Sequence, residues 1–149
     1  RQMCIRDRGY SKVVEDYNKK SYTLNIDGKT SNNGYKIGEE ALKICKDKGI
    51  TAVSCVNDEV AIGLIDYCVD HGIKVPNDIS VAGFGDKSIA SIYRPNLTSV
   101  EIPYYDIGAI AIRALIKRIK KEEEILNEDW IIECTIKQRE STIEKVENK

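Results

Sequence analysis

Apolar residues along this chain recur with two periods, and the period switches repeatedly. Tyr22, Leu24 and Ile26 alternate with polar residues, which predicts a strand over Ser21 to Ile26 after a helix over Gly9 to Lys20. Asp27 to Asn33 is a polar turn. Ile37, Ala41, Leu42, Ile44 and Cys45 then follow helical spacing and predict a helix over Gly34 to Lys48, stopped by Gly49. Ile50 to Val56 reads as a buried strand. Asn57-Asp58-Glu59 opens a helix running to His71, with Val60, Ala61, Leu64, Ile65 and Cys68 as its apolar stripe. Gly72 ends that helix, and Pro76-Asn77-Asp78 turns the chain into a strand over Ile79 to Gly83. A short helix (Lys87 to Tyr93), a strand (Leu97 to Ile102), a long helix (Tyr104 to Lys121) and a last strand (Trp130 to Lys137) complete the pattern, before a polar tail.

Strands alternating with helices predict an α/β fold, a mostly parallel sheet flanked by helices on both faces. In such sheets ligands bind at the carboxyl ends of the strands. Two such ends stand out, Val56-Asn57-Asp58 and Gly83-Phe84-Gly85-Asp86. The helix from Tyr104 carries Ile107, Ile110, Ala111, Ala114, Leu115 and Ile119, an apolar face wider than one sheet with few helices can cover. It is expected to belong to another lobe of a two-lobed protein.

Composition narrows the function. The chain has 149 residues, 42% hydrophobic and 32% charged, with a formal net charge of −1. So balanced a charge gives no general attraction to nucleic acid or membranes, and "KRIKKEEE" is a solvated helix end. No apolar run is long enough to span a bilayer, and no secretory apolar region stands near the start. The cysteines (Cys4, Cys45, Cys55, Cys68, Cys134) are odd in number and widely spaced, without a C-x-x-C pair. They are expected to be reduced and structural, in a cytoplasmic protein without a metal site. No G-x-S-x-G, phosphate-binding loop or H-E-x-x-H is present. "GFGD" lacks the third glycine of a dinucleotide fingerprint, and His71 reads as a helix-end residue. Neither an enzyme nor a cofactor is expected. "QMCIRDR" (Gln2 to Arg8) resembles a translation of the transposon mosaic end CAGATGTGTATAAGAGACAG, and Arg1 to Arg8 are expected to be a non-native extension.

Asn57-Asp58 supports two readings from its residues alone. Asn57 caps the helix and Asp58 complements its dipole, or the amide and carboxylate together read the hydroxyls of a polyol.

The run "TAVSCVNDEVAIGLIDYCVDHGIKVPNDISVAGFGDKSIASIYRPNLTSVEIPYYDIGAIAIRALIKRI" resembles, in order and spacing, the effector domain of lactose/galactose-repressor (LacI/GalR) family transcription regulators, and "IKQREST" resembles that family's last strand. "RPNLTSV" and "YYDIGAIAIRALIKRI" are similar to its catabolite control protein A branch. The resemblance implies an incomplete type I periplasmic-binding-protein-like module. Residues 9–103 would form its C-terminal lobe, 104–128 a helix of the absent N-terminal lobe, 129–142 the returning strand and 143–149 a disordered tail. It implies a homodimer that binds a sugar or sugar-derived effector and reaches operator DNA only through an absent N-terminal domain. A solute-binding protein of a sugar transporter, or the sensor of a GntR-type winged-helix regulator, are the alternatives on the same fold.

The resemblance also assigns residues. Asn57 matches an effector-contacting position with Asp58 beside it, and Phe84 packs under the cleft. Lys29 stands where the family often has an aromatic. Gly85 stands where it usually has a sugar-binding acid, and Asp86 matches the second acid. Arg6 matches a cleft arginine but lies in the stretch set apart above. Ile62 and Tyr93 match positions facing the partner subunit. Lys29 and Gly85 make the cleft less negative, which implies an effector that is phosphorylated, carboxylated or larger than a monosaccharide. The other reading has Lys29 in solvent and Gly85 serving only the turn.

Overall fold

The structure, a computed structural model, describes residues 5–120 and 130–144. In chain order it contains α1 (Ile5–Asp16), α2 (Ser31–Lys36), α3 (Gly38–Lys48), β1 (Ala52–Ser54), α4 (Asp58–Asp70), β2 (Ser80–Gly85), α5 (Ser88–Ile92), β3 (Thr98–Glu101), α6 (Tyr104–Ile119) and β4 (Thr135–Lys137). The strands form one sheet in the order β1-β2-β3-β4. β1/β2 and β2/β3 are parallel, with Val53 opposite Val81 and Ala82 opposite Thr98, and β4 returns antiparallel to β3. The α/β class and mostly parallel sheet agree with the sequence pattern.

The core is built around α4. Its predicted stripe is buried, and Ile65 and Cys68 pack with Val81, Leu97 and Ala90. Ile62 and Gly63 are buried as well, so α4 is covered on more sides than an amphipathic stripe requires. The reason is a pair of glycines. A Cβ on Gly63 would lie 1.9 Å from the Ser31 carbonyl oxygen, and one on Gly34 would lie 2.2 Å from that of Val60. α2 and α4 therefore meet backbone to backbone. Tyr67 packs into the space left by the missing side chain of Gly38.

Several expected elements differ. The predicted helix from Gly34 to Lys48 is two helices that break at Ile37, which closes α2 and opens α3. α2 also starts earlier, because the Thr30 side chain accepts from the Asn33 N–H as an N-cap. Ser21 to Ile26 keeps its alternating burial, but no strand among the described residues pairs with it, so it is extended chain rather than sheet. β1 is an edge among the described strands, and its outward residues Ala52 and Ser54 are exposed rather than buried. The helices cover one side of it only. Trp130 to Cys134 precedes β4 without joining the ladder. α1 begins at Ile5, inside the stretch set apart in the sequence. The expected helix end at 121–128 and the tail at 145–149 lie outside the described residues.

α6 buries none of its residues, and Ile107, Ile112, Leu115, Ile116 and Ile119 are exposed. No helix among the described residues is long and apolar enough to cross a membrane.

The segment after β4 closes the sheet. Ser141 is fully buried where β2 and β3 diverge. Its hydroxyl donates to the Val81 carbonyl (2.6 Å) and accepts from the Thr98 N–H (2.8 Å), while its carbonyl accepts from the Val81 N–H (2.9 Å). Thr142 meets the Thr98 hydroxyl, and the Ile143 N–H donates to Ser80 Oγ. Ser141 thus supplies the hydrogen bonds that the parted strands cannot give each other.

Cys45, Cys55, Cys68 and Cys134 are free thiols. Burial pushes Cys55 up to about 12 and Cys68 up to about 11, from an ordinary 9.0. Burial and its hydrogen bond to Asp66 also raise Tyr93. The folded state therefore holds these protons more tightly than the unfolded chain. Their contribution is fully present below about pH 9 and is lost as pH rises through the folded values. Thermal melts should show constant stability from these groups up to about pH 9 and a decline above it. In the native state, exposed Cys134 should react with a thiol reagent before Cys45, Cys55 or Cys68, as mass spectrometry of labelled peptides would show.

Candidate functional site

The carboxyl ends of β1 and β2 lie side by side, and α4 starts between them. Asn57 is the N-cap of α4: its Oδ1 accepts from the Val60 N–H at 2.8 Å. Its Nδ2 donates to the Lys29 carbonyl at 2.9 Å, which brings the turn before α2 to the same place. The cap reading of Asn57 is borne out, and the cap sits at the strand ends. The Arg6 guanidinium lies 4.4 Å from the centroid of the Phe84 ring and donates to the Val56 carbonyl at 2.6 Å. Arg6, Asn57, Phe84 and the backbone of Lys29, whose side chain is exposed, are therefore grouped at one mouth. A cation over an aromatic face is attracted by the ring quadrupole.

The acids are placed differently. Asp58 is fully buried. Its Oδ2 accepts from the Lys87 N–H at 2.7 Å and its Oδ1 from the Ser99 hydroxyl at 2.5 Å. Asp58 thus faces inward and ties α4 to the segment after β2 and to β3. Glycine at Gly83, on a neighbouring strand, leaves room for this carboxylate, and a Cβ there would lie 2.3 Å from Asp58 Oδ1. Asp86 is ion-paired to Arg139, with Nη1 2.7 Å from Oδ1 and both side chains largely buried. Glu59 pairs with Lys87 at 2.7 Å, a half-exposed contact that contributes little.

Gly85 has a physical explanation in the backbone. Its φ is +119°, a conformation that side chains rarely adopt, and a Cβ would lie 3.6 Å from Asp58 Oδ2. Asp86 follows with φ 49°, so the chain reverses over two unusual residues. Gly85→Asp should lower stability by about 1–2 kcal/mol from conformation alone, with carboxylate repulsion added. Gly85→Ala should lose only the conformational part. Denaturant melts of the two variants would separate these contributions.

Ile62 belongs to the core cluster, with 7% exposure, so it presents almost nothing to a partner. Exposed apolar surface near the half-buried Tyr93 comes instead from Ile89 and Ile92 on α5. His71 stacks on Tyr67 at the end of α4, as a helix-end residue would. No group of three or more His, Cys, Asp or Glu suited to a metal ion occurs among the described residues.

Two residues of this region escaped the sequence reading, Ser99 and Arg139. Ser99 is one polar position in a short strand, and Arg139 lies far along the chain. Neither forms a motif with the residues it contacts.

The sequence profile of the periplasmic binding protein-like domain matches residues 1–142. The HTH-type transcriptional regulator RegA of Clostridium saccharobutylicum is 36% identical over 138 residues, which are 91% of this chain and 40% of that regulator. The solved structure of transcription regulator CcpA of Lactococcus lactis superposes with a TM-score of 0.75 at 28% identity, covering 91% of this chain and 49% of that one. A LacI family transcriptional regulator from Enterococcus faecium, solved with bound ribose, gives a TM-score of 0.75 at 25% identity, covering 92% of this chain and 50% of that one. The chain thus spans half or less of the length of these proteins, all of them transcription regulators rather than enzymes. With a profile match across nearly its whole length and a sheet whose strand ends gather Asn57 and Phe84, the chain belongs to the periplasmic binding protein-like domain family.

Proposed function

We propose that this chain is the effector-sensing part of a cytoplasmic bacterial transcription regulator. It supplies one side of a cleft for a sugar-derived ligand, and a DNA-binding part outside the chain reads the operator. Ligand binding between two lobes shifts operator affinity through a coupling of about 1–3 kcal/mol. The uncovered apolar face of α6 supports its assignment to the opposite lobe. Ile89, Ile92 and Tyr93 supply the surface for a second subunit, in place of Ile62.

The observation that carries the choice of ligand is the fate of the acids. Asp58 and Asp86 are both engaged inside the protein, while the Lys29 segment is held at the mouth by the Asn57 amide. A neutral monosaccharide is usually clamped by free carboxylates that accept from neighbouring hydroxyls. This mouth instead favours a ligand bearing phosphate or carboxylate, or a larger sugar with more hydroxyls for Asn57. Calorimetric titration of the full-length gene product carrying this chain tests the reading. Ribose 5-phosphate or a disaccharide should bind more tightly than ribose. Tight binding of neutral pentose or hexose, with none of the anionic or disaccharide ligands, refutes it.

A further inference from the structure

We propose that Arg139 is a positioning residue for the ligand mouth: it engages the Asp86 carboxylate and fixes the Gly85–Asp86 reversal, so that this negative charge is kept from the ligand. This rests on the sugar-derivative reading above and goes further by assigning the ligand's charge preference to a residue outside the cleft.

Asp86 is held from two directions. Its backbone N–H donates to Ser99 Oγ at 3.1 Å, and Ser99 in turn donates to Asp58. Its carboxylate faces Arg139 Nη1 at 2.7 Å. That same nitrogen donates to the Leu97 carbonyl at 2.7 Å, and the Arg139 backbone N–H donates to Thr98 Oγ1 at 2.8 Å. Arg139 is therefore anchored on the start of β3 at two points before it reaches Asp86. Asp86 Oδ1 is buried and has no aligned hydrogen-bond donor, so the contact is one of charge. A buried carboxylate in that state depends on its counter-ion. Removing the guanidinium leaves a buried negative charge beside the mouth, on a residue already at positive φ. The nearest escape is rotation of Asp86 toward the cleft, where it would repel an anion and accept from a neutral sugar's hydroxyls.

The full-length gene product carrying this chain, titrated with ribose and ribose 5-phosphate, tests the proposal together with hydrogen exchange of the peptide containing Gly85 to Lys87. Arg139→Gln should lower the ratio of ribose 5-phosphate to ribose affinity about tenfold, and adding Asp86→Asn should restore it. Exchange at Asp86 should quicken in Arg139→Gln and recover in Arg139→Lys. An equal loss of both ligands, or an unchanged ratio, overturns the proposal, because a purely structural arginine would not distinguish ligand charge. Should Arg139→Gln not fold, Asp86→Asn decides: the ratio must rise, and a ratio like the parent's overturns the inference. If the parent binds neither probe, the sugar reading falls. Exchange then decides the role of Arg139 alone: an unmoved Asp86 amide overturns it, and quickening that Arg139→Lys reverses supports it.

Discussion

Gly63→Ala lowers stability by about 3 kcal/mol or more, and Gly34→Ala has a comparable effect. The expectation follows from what the new methyl group would meet. At Gly63 it lies 1.9 Å from the Ser31 carbonyl oxygen, and at Gly34 2.2 Å from the Val60 carbonyl oxygen. Both obstacles are backbone, which cannot swing aside as the end of a side chain can. The helices must separate, and separation opens the seam where Val60 and Gly63 of α4 meet Ser31, Gly34 and Tyr35 of α2. Alanine has the higher intrinsic helix propensity, so propensity alone predicts the opposite sign. Gly9 is also helical but has nothing near its missing side chain, so Gly9→Ala is the control and should be neutral or slightly stabilising. Urea melts of the three variants check this. Equal stability of Gly63→Ala and Gly9→Ala would falsify the close helix crossing.

Asp58→Ala is expected to lower stability by about 3 kcal/mol. It strips acceptors from the Lys87 N–H and the Ser99 hydroxyl, one of which closes the segment after β2. Asp58→Asn should lose less, about 1–2 kcal/mol. Its carbonyl can still accept from Lys87, and its amide can donate to Ser99 if that hydroxyl rotates. A ligand-contacting carboxylate with no structural duty would give a different result, with weakened binding at parental stability. Thermal melts of both variants beside ligand titrations therefore separate an inward bracket from an outward contact.

The sequence carries the layout of this fold further than the detail of its site. α4 was legible because its stripe, its Asn57 cap and its Gly72 stop agree. Ser21 to Ile26 misled because alternation reports which face is buried, and the side chains obey it, yet a strand also needs a neighbour to pair with. The inner turns of α4 were illegible for another reason. Gly63 in a helix looks like a weakness, and only a second backbone at contact distance turns it into a requirement. At the mouth, Asn57 and Phe84 could be placed from their strand ends. The inward turn of Asp58 could not, because it depends on Gly83 and Ser99 from two other strands. Gly85 looked like a lost acid, and its positive φ gives it a reason independent of any ligand. Arg139 joins Asp86 across a long stretch of chain, a pairing no local pattern records.

The placement of Ser141 bears on the order in which this polypeptide takes shape during synthesis. The residue that seals the parting of β2 and β3 is made 60 positions after Val81 and 43 after Thr98. Until it emerges from the ribosome, the Val81 and Thr98 backbone groups lack their final partners, although the three parallel strands are already complete. Long-range closures of this kind slow folding and prolong exposure of unpaired strand. The nascent chain must therefore hold an unfinished sheet through the translation of α6, whose apolar face is exposed over the same interval.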